Sequence, residues 1–183
     1  AAALKADYSM FSTSGYGIIS GYTADPSVKM TQQRIPDFYE FMGFSYDKMD
    51  GIPAPMELSW DFKEYEPDAI VINLGTNDDS YCQEDETRQQ EYANAYEAFL
   101  GVVRQHNPKA MIFCVLGLMG DRLYPWVCKA VQSYTGHTGD QRITTLRLPE
   151  QDASVGYVSD YHPLESAHER AAQVLIPVIR DAM

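Results

Sequence analysis

Two apolar runs of the same kind constrain the fold of this chain more than any other feature. Residues 68–74 read Asp-Ala-Ile-Val-Ile-Asn-Leu and residues 110–116 read Ala-Met-Ile-Phe-Cys-Val-Leu. Neither run has the regular polar alternation of a strand that exposes one face to solvent. Continuous apolar strands are typical of parallel sheets that helices cover on both faces. The two runs therefore predict an α/β fold with a buried parallel sheet.

The segments around these runs supply further elements. Glu86 to Arg104 places apolar residues at helical spacing, and residues 122–133 and 164–183 predict two more helices. Residues 143–148 predict a weaker strand, and the β-rich run at residues 8–13 predicts a strand that a glycine turn ends. Alternating strands and helices predict a three-layer α/β/α sandwich, in which ligands bind at the carboxyl ends of the strands.

The chain opens with residues that suit the end of a helix. Residues 1–6, Ala-Ala-Ala-Leu-Lys-Ala, are strong helix formers, and no capping residue precedes them. We therefore expect residues 1–183 to be a single domain whose first elements lie upstream of residue 1. A chain of this length buries a sizeable core without disulfides or a structural metal.

Charge and spacing argue against several classes of partner. The chain has 26 Asp and Glu residues against 14 Lys and Arg, a formal net charge of −12. Nucleic acids and anionic membranes are recognised through clustered basic residues, so we expect neither as a partner. The apolar runs are far shorter than the roughly 20 residues of a membrane span. His162 and His168 lack the i, i+4 spacing of a helical zinc pair, and we expect no metal or organic cofactor.

Three clusters of glycine and polar residues follow predicted strands. They are Ser-Gly-Tyr-Gly at residues 14–17, Gly-Thr-Asn-Asp at residues 75–78 and Ser-Asp-Tyr-His-Pro at residues 159–163. The glycine spacing does not match a dinucleotide-binding motif, and the P-loop and nucleophile-elbow motifs are absent. Because the carboxyl ends of parallel strands share one edge of a sheet, we expect these clusters to converge.

Each cluster has a catalytic and a structural interpretation. Asp160 can orient the imidazole of His162, as hydrolytic triads require, or it can cap the helix that follows. The amide of Asn77, which we expect at the end of a strand, can donate to a developing oxyanion or can simply stabilise a turn. The residue patterns alone leave both pairs of alternatives open.

The clusters together resemble the SGNH, or GDSL-type, hydrolases. Val-Ile-Asn-Leu-Gly-Thr-Asn-Asp, Leu-Gly-Leu-Met-Gly and Asp-Tyr-His-Pro before the last helix look most like the catalytic domain of carbohydrate esterase family 2. The resemblance covers nearly the whole chain. It implies the SGNH fold and a carboxylic ester hydrolase that removes or transfers O-acetyl groups on plant polysaccharides such as xylan or mannan.

The resemblance also implies roles for individual residues. His162 is then the general base and Asp160 its orienter, while the Gly15 N–H and the Asn77 side chain form the oxyanion hole. Aromatic side chains near the expected cleft can stack on sugar rings or pack in the interior. The three that we expect to bind substrate are Tyr16, Trp60 and Trp126.

One block of the family pattern does not occur. The Gly-Asp-Ser sequence, whose serine is the family's nucleophile, is absent from the 183 residues. We therefore expect the nucleophile upstream of residue 1, where family 2 enzymes also carry a small β-sandwich domain. Two other functions stay open, a carbohydrate-binding domain without catalysis and a lipid or thioester hydrolase on the same fold. The sequence does not decide between a secreted and a cytoplasmic bacterial protein.

Overall fold

A computed structural model describes residues 1–44 and 50–183. Its sheet has three parallel strands, with β2 between β1 and β3. The strands are β1 (Ala69–Asn73), β2 (Met111–Leu116) and β3 (Ile143–Arg147). The register places Ile72 of β1 beside Cys114 of β2, and Cys114 beside Thr145 of β3. The two apolar runs therefore form neighbouring parallel strands, as predicted.

α-Helices alternate with these strands. They are α1 (Thr76–Cys82), α2 (Glu86–His106), α3 (Tyr124–Thr138) and α4 (Glu165–Ala182). The carboxylate of Asp85 caps α2 by accepting the N–H groups of Thr87 and Arg88. Gly139 ends α3 in the left-handed conformation. Within the described residues, none of the helices combines the length and the apolar character needed to cross a bilayer.

The middle strand is buried on both faces. Ile112 and Cys114 belong to the core cluster that includes residues of α2 and α3. Phe113 and Val115 lie on the other face and pack in a second cluster with Ala171 of α4. The layers are thus α2 and α3, the sheet, and α4. The predicted three-layer α/β/α sandwich is confirmed.

The edge strand β1 is buried less completely than the sequence predicts. Ile72 points into the α2 and α3 cluster, but Val71 on the opposite face is 42% exposed. Val71 pairs with Phe113, over which α4 packs, while Val71 itself lies outside that cluster. The prediction of burial on both faces is correct for β2 and wrong for β1.

The predicted strand at residues 8–13 does not form. Tyr8 and Met10 are exposed, and Phe11 packs its ring against Tyr39 and Phe44. Among the described residues no strand runs beside this segment, and a strand is stable only when its N–H and C=O groups are paired. Residues 1–6 likewise contain one 3₁₀ turn, Ala2–Leu4, rather than the end of an α-helix.

Candidate active site

Loops that follow all three strands meet at the carboxyl edge of the sheet. Leu148, just after β3, donates its N–H to the carbonyl of Leu116 at 2.8 Å, and Gln151 donates to the carbonyl of Leu118 at 2.9 Å. These bonds join the loops after β2 and β3. Gly75 turns the chain from β1 into α1 at the same edge. The loops that follow the three strands therefore share one end of the sheet.

Asn77 links the first two clusters. It lies in the first turn of α1, not at the end of β1 as we expected. Its Nδ2 donates to the carbonyl of Tyr16 at 2.7 Å, and an amide nitrogen carries a second N–H. The neighbouring Gly15 has φ +81°, and its carbonyl accepts the N–H of Tyr22 at 2.7 Å. Within the described part of the chain the Gly15 N–H has no hydrogen-bond partner. The Asn77 amide thus bonds the residue that follows Gly15, whose own N–H is a second donor in this turn.

A buried carboxylate fixes the glycine turn next to these donors. Asp78 is fully buried and accepts the backbone N–H groups of Ile18 at 2.9 Å, Ile19 at 2.7 Å and Ser20 at 3.1 Å. Burial raises the pKa of Asp78 to about 6, although the bonds to these N–H groups act in the opposite direction. Sequence reasoning assigned no site role to Asp78. The sequence feature that could have indicated its role in fixing the glycine turn is its position directly after Thr-Asn, where a buried strand is followed by a helix.

His162 is exposed at the end of the loop that follows β3. Its Nδ1 lies 3.1 Å from the carbonyl oxygen of Ser159. Asp160 is also exposed and has the left-handed φ of 54°. Within residues 1–44 and 50–183, no hydrogen bond joins Asp160 to His162, and none reaches the Nε2 of His162. A carbonyl that accepts from Nδ1–H leaves Nε2 as the proton acceptor.

A shallow cavity of about 280 Å³ is lined in part by Tyr161, the residue before His162. Leu118 and Met119 of the loop after β2 form one side of it, and Tyr157 and Tyr161 form another. The two tyrosine rings meet nearly edge to face, with centroids 5.7 Å apart. Glu150 adds a polar group to these apolar and aromatic walls, and a wall of mixed polarity is typical of small-molecule sites.

Two of the predicted substrate-binding aromatics lie in elements at this edge. The ring of Tyr16 is half-buried and packs against Phe38 and Phe44, with centroids 5.7 Å and 5.5 Å away. Trp126 lies in the first turn of α3, with the Lys129 ammonium 4.5 Å from its ring centroid. Tyr16 thus contacts Asn77 with its backbone carbonyl rather than with its ring. Part of the Trp126 ring is accessible to solvent.

Trp60 lies elsewhere. The backbone N–H of Trp60 donates to the carbonyl of Glu40, and the carboxylate of Glu40 contacts His106 at 2.6 Å. His106 ends α2, whose 21 residues span about 30 Å and run from the carboxyl edge of the sheet to the opposite edge. The structure therefore places Trp60 near the amino edge of the sheet and does not bring it together with Asn77.

The described residues offer no grouping of three or more His, Cys, Asp or Glu side chains suited to a metal ion. Cys82, Cys114 and Cys128 are free thiols. Burial raises the pKa of both the Cys82 and the Cys114 thiols to about 12, which keeps them protonated and poorly nucleophilic. The described residues at this edge supply an imidazole, the carboxylate of Asp160 and N–H donors.

Known proteins share both the sequence and the fold. The chain matches the GDSL-like Lipase/Acylhydrolase family over residues 12–170. It is 31% identical over 188 residues to an acetylxylan esterase / glucomannan deacetylase of Cellvibrio japonicus, an alignment that covers 100% of this chain and 46% of that protein.

Two solved structures extend the comparison. An acetyl xylan esterase, Est2A, from Butyrivibrio proteoclasticus superposes with a TM-score of 0.85 at 25% identity, covering 98% of this chain and 53% of that one. A family two carbohydrate esterase from Clostridium thermocellum, solved in complex with cellohexaose, has a TM-score of 0.71 at 30% identity, covering 91% of this chain and 47% of that one.

The chain thus spans about half the length of these relatives. The resemblance to carbohydrate esterase family 2 is confirmed, since the relatives are esterases of that kind. The family match extends from the glycine turn through all three strands and into α4. This chain belongs to the GDSL-like lipase/acylhydrolase family.

Proposed function

We propose that residues 1–183 form the larger part of the catalytic domain of a serine carbohydrate esterase. It removes or transfers O-acetyl groups on plant polysaccharides such as xylan or mannan. The observation that carries the proposal is the exposed imidazole of His162, whose Nδ1 is held by the Ser159 carbonyl while Nε2 has no hydrogen-bond partner among the described residues. The relatives named acetylxylan esterase, glucomannan deacetylase and cellohexaose-bound esterase support acetylated polysaccharide as the substrate.

The proposed reaction proceeds through an acyl-enzyme. Nε2 of His162 takes the hydroxyl proton of a serine while the serine oxygen attacks the acetyl carbonyl carbon. The resulting oxyanion accepts hydrogen bonds from the Gly15 N–H and from the second N–H of the Asn77 amide. The intermediate then breaks its bond to the sugar oxygen, which receives the proton from the imidazolium. Water or another sugar hydroxyl cleaves the acyl-enzyme by the same steps and yields acetate or a transferred acetyl group.

We place the nucleophilic serine outside residues 1–183. Two observations support this part of the proposal. The family's Gly-Asp-Ser block does not occur in the chain. A general base must lie within hydrogen-bond reach of the hydroxyl proton that it removes. In the described residues, no hydroxyl group is bonded to the Nε2 of His162. The site is completed by a hydroxyl at the open face of this imidazole.

Two groups compete for the task of orienting His162. The Ser159 carbonyl makes the contact with Nδ1, whereas Asp160 is the orienter that the family resemblance implies. Asp160→Asn removes the charge and keeps the size of the side chain. Loss of an orienting carboxylate costs about 10⁴-fold in kcat in serine hydrolases. A fall of that order would assign the task to Asp160, and a fall below about tenfold would assign it to the Ser159 carbonyl.

The three predicted aromatic residues differ in how they could contact a bound sugar. Trp126 is half-buried against the core with Lys129 over its ring, and we propose that its exposed part contacts the sugar. Tyr16 is held by Phe38 and Phe44, so we propose that its ring borders the cleft and that its carbonyl holds Asn77. Trp60 contacts only a substrate long enough to reach the opposite edge of the sheet.

The test uses the full-length protein and a fluorophosphonate serine probe, together with acetate release from acetylated xylan. We expect the probe to label a serine outside residues 1–183. His162→Ala should abolish acetate release, and Asn77→Ala should lower kcat by about 100- to 1,000-fold. His168→Ala, an exposed histidine in α4, is the matched control and should keep wild-type activity. Polysaccharide binding without labelling would indicate a binding domain, and faster cleavage of octanoyl than of acetyl esters would indicate a lipid hydrolase.

A further inference from the structure

One buried side chain closes the base of the loop that carries His162. Gln151 lies between β3 and that loop and is 8% exposed. Its Nε2 donates to the carbonyl of Gly156 at 2.5 Å, and its Oε1 accepts the N–H of Leu164 at 3.2 Å. Gly156 precedes His162 and Leu164 follows it. A single amide group therefore joins the two ends of the segment that holds the imidazole.

The closed segment has a backbone that needs such a restraint. Asp160 and Tyr161 both have left-handed φ angles, 54° and 58°, which are unfavourable for residues with a side chain. Within the loop, the N–H of Val158 donates to the carbonyl of His162 at 3.0 Å, and the N–H of His162 donates to the carbonyl of Ser159 at 3.1 Å. Strained backbone persists where the surroundings fix it, and such places are often functional.

Gln151 also ties this loop to the rest of the carboxyl edge. Its backbone N–H donates to the carbonyl of Leu118, directly after β2. Leu164, which its side chain holds, is the residue before α4 and has no side-chain cap of its own. Gln151 is thus bonded to the loop after β2, to the His162 loop and to the start of α4.

We propose that Gln151 is a positioning residue that sets the conformation of the His162 loop, an inference that rests on the proposed function of His162. It holds Ser159 and His162 in the geometry in which the carbonyl meets Nδ1 and Nε2 stays open. It contacts no reacting atom. Gln151 also borders the cavity lined by Tyr157 and Tyr161, but its amide bonds the His162 loop, so we expect a larger effect on the rate of the chemical step than on substrate binding.

The test compares Gln151→Ala and Gln151→Glu with wild type in the full-length esterase. Gln151→Ala removes both contacts, and we expect kcat to fall 10- to 100-fold while KM changes less than threefold. Gln151→Glu keeps the size and an acceptor for Leu164 but loses the donor to Gly156, so a smaller fall of at least fivefold is expected. The control is Gln141→Ala, which should match wild type because the exposed Gln141 side chain bonds, within the described residues, the Gly139 carbonyl alone.

A second readout separates positioning from general stability. The enzyme is labelled at histidine, and the His162 resonances are assigned by their loss in His162→Ala. We expect the Gln151 variants to shift the His162 signals while those of His106 and His137, which lie on other elements, stay in place. Equal shifts at all three histidines would overturn the proposal, because they would indicate a purely structural role. If Gln151→Ala does not fold, Gln151→Glu decides, and a kcat within twofold of wild type would overturn it.

The same measurements distinguish this proposal from the proposed function. Full activity of His162→Ala would contradict the function itself. An inactive His162→Ala together with fully active Gln151 variants would leave the function standing and remove Gln151 from it.

Discussion

At the scale of single residues, Asp78 balances two opposing effects. Removing a carboxylate from water disfavours its charged form, while hydrogen bonds from backbone N–H groups favour that form. In this structure the burial effect is the larger one, since the pKa of Asp78 is raised to about 6 despite its bonds to residues 18–20. At neutral pH the Asp78 carboxylate is charged, and the hydrogen bonds that hold the glycine turn offset only part of the free-energy cost of burying that charge.

This balance predicts that the free energy of unfolding depends on pH. A folded pKa above the ordinary 3.8 means that the folded chain binds this proton more tightly than the unfolded chain does. The stabilisation from Asp78 is then complete below pH 3.8 and is lost as the pH rises through 6. A difference of about two pKa units corresponds to about 3 kcal/mol.

The measurement is urea unfolding of the wild type and of Asp78→Asn between pH 4 and pH 7. The difference in unfolding free energy between the two proteins should fall as the pH rises, by up to about 3 kcal/mol. Other titrating groups cancel in this difference. A difference that grows with pH would mean that the N–H bonds lower the pKa of Asp78 below its ordinary value.

Gly17 is a second residue whose identity the turn requires. A Cβ at this position would lie 2.2 Å from the carbonyl oxygen of Ser20 and 2.4 Å from Oδ2 of Asp78. We predict that Gly17→Ala lowers the unfolding free energy by about 2 kcal/mol or more, because the neighbours cannot move without breaking bonds to Asp78. Thermal unfolding followed by circular dichroism measures the effect.

Gly136 provides the matched control for this substitution. It lies in α3, and a Cβ there would meet nothing within 4 Å. Gly136→Ala should therefore stabilise the chain by up to about 1 kcal/mol through helix propensity. Similar melting temperatures for the two alanine variants would contradict the close contact at Gly17.

At the scale of elements, Arg104 joins the end of α2 to the beginnings of two strands. Its guanidinium donates to Asp140 at 2.8 Å, to the carbonyl of Ala110 at 2.7 Å and to the carbonyl of Arg142 at 2.9 Å. Ala110 precedes β2 and Arg142 precedes β3. The side chains of Arg104 and Asp140 are only 15% and 14% exposed. One planar group thus fixes a helix and two strands at the amino edge of the sheet.

The geometry predicts that lysine cannot replace Arg104. A lysine ammonium lacks the planar fork that reaches several acceptors, so Arg104→Lys should cost about 1 to 3 kcal/mol and Arg104→Ala about 3 to 5 kcal/mol. Arg34→Ala breaks an exposed pair with Asp37 and should cost less than about 1 kcal/mol. Denaturant unfolding of the three variants measures these costs, and equal losses for Arg34→Ala and Arg104→Ala would contradict the assignment.

The elements that could be predicted from the sequence are those in which a local pattern of residues decides between helix and strand. The β2 segment is a continuous apolar run and α2 has apolar residues at helical spacing, and the bounds of both elements differ from the prediction by one or two residues. Residues 8–13 have the same β-rich composition as a strand, but Tyr8 and Met10 are exposed and Phe11 packs against aromatic rings instead. Pairing with another strand decides that outcome, and it is not encoded in the run itself.

At the scale of the whole molecule, the predicted site is brought together only in part. Gly15 and Asn77 meet because Asn77 bonds the residue next to Gly15, and His162 shares their edge because parallel strands end there. The contact of His162 with the Ser159 carbonyl and the position of Trp60 depend on loop conformations. Such contacts involve backbone atoms and left-handed φ angles, which residue types and spacing do not specify.

The outer edge of the sheet is unpaired in the described residues, and this predicts self-association of residues 1–183 when they are produced alone. The outer edge of β1 pairs with no strand in the described chain, and Val71 exposes 42% of its surface beside it. Unpaired strand edges with apolar side chains are templates for pairing with another copy. We predict that Val71→Lys lowers the concentration-dependent association of residues 1–183, measured by light scattering, and leaves the melting temperature within about 2 °C.

The neighbouring residue supplies the control that decides this prediction. Ile72 has the opposite orientation and is buried in the cluster with α2 and α3. A charge at that position has no water to solvate it, so Ile72→Lys should unfold the chain or lower its melting temperature by more than about 10 °C. If Val71→Lys were as damaging as Ile72→Lys, the side chain of Val71 would be covered in the folded protein. The open edge would then be closed by a part of the protein that packs on β1.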